Sequence, residues 1–106
     1  MFKIEENNIF LTRGDSANIH IKVIAIGGKE YKVTSGDTIT FTVKKSTNDT
    51  TILIQKQGQE ITIEPDDTSK LSYGQYVYDV QLNMSTGEID TIITPHEFNL
   101  LEEVNF

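Results

Sequence analysis

Apolar and polar side chains alternate most clearly from Tyr76 onward, where Tyr76, Tyr78, Val80 and Leu82 fall on one face and Asp79, Gln81 and Asn83 on the other. A period of two is the mark of a half-buried strand, and only Val77 breaks it. Ala17, Ile19, Ile21 and Val23 alternate in the same way with Asn18, His20 and Lys22, as do Ile39, Phe41 and Val43 with the threonines between them and Lys44. Shorter extended pieces are predicted at Ile9-Phe10-Leu11-Thr12, Tyr31-Lys32-Val33, Ile52-Leu53-Ile54, Ile61-Thr62-Ile63, Ile89 to Ile93 and Phe98-Asn99-Leu100-Leu101. Turn signals separate them: Arg13-Gly14-Asp15, Gly27-Gly28, Ser35-Gly36-Asp37, Ser46 to Thr50, Gly58 and Ser85-Thr86-Gly87. Pro95 is expected to end its segment or to mark an edge, because proline cannot donate to a ladder.

About seven to nine short strands at this spacing predict an all-β chain, an antiparallel sandwich of immunoglobulin-like type. Pro65-Asp66-Asp67-Thr68-Ser69-Lys70 reads as a turn or one short helical turn, followed by Leu71 and Gly74 before the strand from Tyr76. That layout is the setting of a tyrosine corner, in which the Tyr76 hydroxyl bonds backbone a few residues upstream and pins a crossing between sheets. With 106 residues and no linker composition or internal repeat, residues 1–106 are expected to form one domain. Residues 1–8 are expected to be loosely held.

Composition narrows the chemistry. Cysteine is absent, which excludes disulfides and thiol chemistry. Nine Lys and Arg against sixteen Asp and Glu leave a net charge of -7, so neither phosphate-backbone binding nor a nucleic-acid partner is expected. No apolar run approaches the ~20 residues of a membrane span, and Met1-Phe2-Lys3-Ile4-Glu5-Glu6 lacks the layout of a signal peptide, so synthesis in the cytoplasm without a membrane partner is expected.

Candidate sites are few. His20 and His96 lack metal-ligand spacing and read as surface hydrogen-bonding residues. No serine sits in a nucleophile elbow, and no glycine-rich loop carries a phosphate-binding lysine. Glu64 with Asp66-Asp67, and Glu102-Glu103, offer oxygens to calcium but lack the order of a calcium loop, and Asp66 or Asp67 serves equally to cap a helical turn. Arg13-Gly14-Asp15 matches an adhesion tripeptide, yet a turn between strands accounts for it. Tyr73 precedes its strand and is the one tyrosine placed to bind a carbohydrate, since Tyr76 and Tyr78 face the core. The expectation is a non-enzymatic chain with no catalytic, cofactor-binding or metal-binding residues.

Five separated segments carry a family resemblance: Phe10 to Ala17, Gly36 to Lys45, Ile54-Gln55-Lys56, Leu71 to Leu82, and Thr91-Ile92-Ile93. In order and spacing they resemble small phage and prophage structural proteins of Gram-positive bacteria, similar to the N-terminal domain of phage baseplate upper proteins. The resemblance implies an immunoglobulin-type sandwich that attaches to other tail or baseplate proteins, with receptor-binding parts carried elsewhere. It further implies a virion location after a period in the host cytoplasm, and a possible homo-oligomer. The chain lacks the long C-terminal region of a full baseplate protein, so a free-standing virion or prophage subunit is expected.

Overall fold

The stretch from Gly74 to Asn83 becomes the central strand of the molecule because its apolar side chains alternate without a polar residue on the inward side. The computed structural model describes residues 2–24 and 27–102. Its elements run β1 (Phe2–Glu5), β2 (Asn8–Thr12), β3 (Ala17–His20), β4 (Thr38–Lys44), β5 (Ile54–Gln57), β6 (Glu60–Ile63), α1 (Pro65–Ser69), β7 (Gly74–Asn83) and β8 (Ile89–Leu101). Six strands form one sheet in the order β1-β2-β8-β7-β4-β5, and β3 and β6 form a second, two-stranded sheet. The chain is all-β with one short helix, as a sandwich requires.

A single hydrophobic cluster joins the two sheets. Ile39, Phe41 and Val43 of β4, Tyr76, Tyr78, Val80 and Leu82 of β7, Phe98 and Leu100 of β8, and Ile9 and Leu11 of β2 meet Ala17, Ile19, Ile61 and Ile63 of the small sheet. Phe41 lies at its centre, fully buried, with its ring 5.2 Å from that of Tyr78 and 6.4 Å from that of Phe98. Burying a side chain of this size contributes roughly 1.5–3 kcal/mol. The corner is present: the Tyr76 hydroxyl donates to the Ser72 carbonyl oxygen at 2.8 Å. Tyr78, next on the same face, donates to the carbonyl oxygen of Asn7 at 2.5 Å, so two tyrosines of one strand tie an adjoining loop and a distant one to the core.

Several expectations are corrected. The large sheet is mixed, because β2 pairs with β8 in parallel, Ile9 opposite Phe98 and Leu11 opposite Leu100. No hairpin joins these strands; β2 leaves through the Arg13–Gly14 turn for the other sheet, so no local turn imposes an antiparallel direction. Residues 2–5 have a defined place in the large sheet. They form β1 and pair with β2 through a two-residue hairpin whose Glu6 and Asn7 have φ of 51° and 66°, the conformation of a type I′ turn. Phe2 packs on the core while Lys3 and Glu5 remain exposed, which is why the segment reads as polar.

Pro95 does not end its strand, and the segments from Ile89 and from Phe98 are one element, β8. Register shifts in the β7–β8 ladder put His96 opposite Tyr78 and Ile93 opposite Val80, leaving Thr94 and Pro95 together against Asp79. A bulge leaves one residue unpaired, so the missing N–H of proline costs nothing there. The strand expected at Ile52 begins only at Ile54, and the one from Ala17 pairs through His20, although Ile21 and Val23 stay buried. The hairpin expected at Gly27-Gly28 is closed by an Ile24–Glu30 bridge and a Tyr31 N–H to Val23 carbonyl bond of 2.8 Å, while Ala25 and Ile26 lie outside the described residues.

Candidate functional site

The outward side of the large sheet is set by the same alternation that fills the core. Thr42 of β4 stands opposite Gln55 of β5 on one side and Asp79 of β7 on the other, so these three side chains form one row across three strands. One step along, Lys44 stands opposite Val77, and one step the other way Thr40 stands opposite Gln81. Strands lie about 4.8 Å apart, so the row spans roughly 10 Å. Beyond Asp79 the bulge at Thr94–Pro95 interrupts the sheet, and a bulge bends its strand and re-aims side chains. The result is a half-open depression of ≈240 Å³ lined by the row and by Ile52, Val77 and Pro95.

The electrostatics of this depression centre on Asp79. Partial burial pushes its carboxyl above the usual aspartate value, and the charge of Lys44 offsets part of that. No hydrogen bond joins its carboxylate to another described residue. Gln55 Nε2 donates to Thr42 Oγ1 at 3.3 Å, which fixes the hydroxyl beside it. The set comprises the Asp79 carboxylate, the amides of Gln55 and Gln81, the hydroxyls of Thr42 and Thr47 and the Lys44 ammonium. These groups can both donate and accept hydrogen bonds.

A second aspartate shows the opposite arrangement. Asp37 accepts bonds from the Thr34 N–H at 3.0 Å, the Tyr31 hydroxyl at 2.7 Å, the Ser85 N–H at 3.0 Å and the Thr34 hydroxyl at 3.1 Å. The backbone N–H bond from Thr34, the Tyr31 hydroxyl and the Ser85 N–H lower its carboxyl from 3.8 to about 2. The same contact raises the Tyr31 hydroxyl, chiefly through its bond to Asp37. A smaller cavity of ≈190 Å³ is lined mainly by apolar side chains, Ile4, Ile9, Ile19, Ile21 and Phe41 among them, together with Asn7, His20 and Lys22.

The residues singled out from the sequence do not converge on either cavity as a reactive set. His20 pairs with Glu60 across β3 and β6, and His96 Nδ1 lies 2.5 Å from the Thr94 carbonyl oxygen. Asp67 caps α1 in the reverse sense to that expected, accepting the Glu64 N–H three residues upstream at 2.7 Å, and also pairs with Lys56 at 3.0 Å. Burial works to raise the Asp67 carboxyl, and the Glu64 and Lys56 contacts outweigh it and leave it lowered. Among the described residues no three His, Asp or Glu side chains are grouped to hold a metal ion. Glu102 is exposed and Glu103 lies outside the described residues.

Arg13-Gly14-Asp15 is built into the corner rather than displayed. Arg13 Nη1 donates to the Leu71 carbonyl oxygen at 3.1 Å, the Gly14 N–H donates to the fully buried Thr68 hydroxyl at 2.9 Å, and the Asp15 N–H closes the turn onto Thr12 at 3.0 Å. Gly14 has φ of 86°, a conformation a side chain would strain. Tyr73 is exposed as expected, but the Arg13 guanidinium lies 4.7 Å from its ring centroid and occupies one face. Thr42, Gln55 and Asp79 were within reach of sequence reasoning only as outward positions of separate strands; the register that joins them is a long-range property. No helix of the described residues is long and apolar enough to cross a membrane. Comparison of the chain with protein-family models, with curated proteins and with solved structures gives no match.

Proposed function

We propose that this chain is a non-enzymatic structural protein of a phage or prophage virion, an assembly and interaction module of the tail or baseplate. The observation that carries the reading is where the five resembling segments fall. The strand portions of these segments, Phe10 to Thr12, Thr91 to Ile93, Gly74 to Leu82, Thr38 to Lys44 and Ile54 to Lys56, fall in β2, β8, β7, β4 and β5, which are consecutive neighbours in one sheet, and the first segment runs on through its turn to Ala17 at the start of β3. Segments scattered along the sequence therefore describe one continuous structural unit.

The outer edge of β1 supplies a docking surface for such a role. Among the described residues β1 pairs only with β2, so its other backbone edge is open to strand addition, with Lys3 and Glu5 exposed along it. The polar outward faces and the net charge of -7 keep the chain dispersed before assembly. Its place is the virion, with the host cytoplasm before that. A carbohydrate-binding role resting on Tyr73 is weakened by the guanidinium already stacked on that ring.

The test is size-exclusion chromatography with light scattering, followed by pull-down against purified tail proteins encoded beside this chain. Self-association, or a stoichiometric complex with one of them that Ile4→Lys weakens, is the expected result. A strict monomer that binds none of them overturns the reading.

A further inference from the structure

We infer that the depression around Asp79 on the outer face of the large sheet is a binding site for a single neutral sugar ring. This goes beyond the virion reading and does not rest on it.

Three features of the depression point to a sugar. Its polar groups are those that recognise vicinal hydroxyls: the Asp79 carboxylate accepts two donors, and the amides of Gln55 and Gln81 each donate and accept. Lys44 donates and Thr42 does both. Asp79 has no hydrogen-bond partner among the described residues, so its acceptor capacity is uncommitted, unlike that of Asp37. Second, Val77, Pro95 and the half-exposed Ile52 offer apolar surface at the sides, matching the C–H faces of a pyranose. Third, ≈240 Å³ is smaller than the roughly 300–1,000 Å³ of sites for drug-sized ligands and suits one ring.

The alternatives fit less well. One lysine facing one carboxylate leaves no net positive charge for a phosphate, and a single carboxylate is too few oxygens for a calcium ion. An extended peptide adds to a sheet edge, where backbone groups are open, and this site lies on strands already paired on both sides for β4 and β7. The bulge explains the location: it sets Pro95 beside Asp79 and opens the sheet surface at that point. The same chemistry serves a free monosaccharide and a sugar residue within a cell-surface polysaccharide.

The experiment is an amide-resolved NMR titration of the intact chain with glucose, galactose, N-acetylglucosamine, N-acetylgalactosamine and rhamnose at millimolar concentrations. At least one should give saturable shifts centred on the Thr42, Gln55, Asp79 and Gln81 backbone amides and the side-chain amides of Gln55 and Gln81. Asp79→Ala, its spectrum otherwise native, should weaken that binding about tenfold or more, since a charged acceptor is lost. Tyr73→Ala should leave it unchanged. In a second arm, a purified polysaccharide that contains the sugar giving saturable shifts is mixed with the chain. Retention competed by the same sugar assigns the ring to a polymer, and binding of the monosaccharide alone assigns it to a free ligand. No saturable shift with any sugar, shifts centred elsewhere, or wild-type affinity in Asp79→Ala overturns the inference.

Discussion

Asp37 lies in the turn just before β4 and Asp79 within β7, the strand paired with β4, and folding treats them in opposite ways. Asp37 is surrounded by donors from the Tyr31, Thr34 and Ser85 segments, and its carboxyl is lowered to about 2. Asp79 sits among side chains that do not bond to it, and its carboxyl is raised by burial. A carboxylate that stitches two loops together is occupied by the fold. One that is partly desolvated and unbonded is maintained at a cost to the fold, and that is the pattern expected of a group kept for a ligand.

The contrast can be broken by substitution. Asp37→Ala should lower the melting temperature more than either Tyr76→Phe or Asp79→Asn, because it releases the Tyr31 hydroxyl and two backbone N–H groups at once. Thermal melts of the variants and the wild type check this. Asp37 also predicts the acid limb. Its folded value is below its unfolded one, so its stabilisation is complete above about pH 4, declines as pH falls, and is gone once pH passes through about 2. Melting temperature plotted against pH should drop across that window, and Asp37→Asn should flatten the drop. An unchanged acid limb would show that other carboxylates dominate it.

Tyr76→Phe comes next. It keeps the ring but loses the bond to Ser72, and urea unfolding should show a loss of roughly 0.5–1.5 kcal/mol. A cost near zero would mean that the hydroxyl is solvated and that the corner contributes shape alone. Asp79→Asn should be smaller and of the opposite sign, a stabilisation within about 0.5 kcal/mol at pH 7. Its raised carboxyl disfavours the ionised folded form, so the wild type gains relative stability as pH falls, and the variant's advantage should shrink in acid. A clear loss of stability in Asp79→Asn would place this residue with Asp37 as a structural group. Gln81→Ala, exposed and unbonded, should leave the unfolding midpoint where it is.

What the sequence made legible was local. β4 and β7 were readable because nothing interrupts the alternation on their inward sides, and Tyr76 because its corner depends on a loop only four residues away. β1 was missed because three of its four residues are charged or exposed, and its strand character comes from pairing with β2 and from a positive-φ turn built without glycine. Pro95 misled because the rule against proline in a strand competes with the bulge, which is visible only once β7 and β8 are aligned. The site failed for a similar reason. Asp79 and Gln81 were placed on the outward face of their strand, but Thr42 and Gln55 lie 37 and 24 positions from Asp79 in sequence, and only register makes them neighbours. The Asp37 hub joins Ser85 across a separation of 48, which no pattern of apolar positions records.

The parallel pairing of β2 with β8 has a mechanical consequence. Because the two strands run the same way, a load that draws β2 toward its start and β8 toward its end slides one along the other. The hydrogen bonds between Ile9–Thr12 and Phe98–Leu101 then share the force together rather than opening one at a time from an end, as they would in a hairpin. Four residue pairs thus act as a shear clamp between early and late parts of the chain, and the domain resists being pulled apart along that axis far better than it resists peeling of β1.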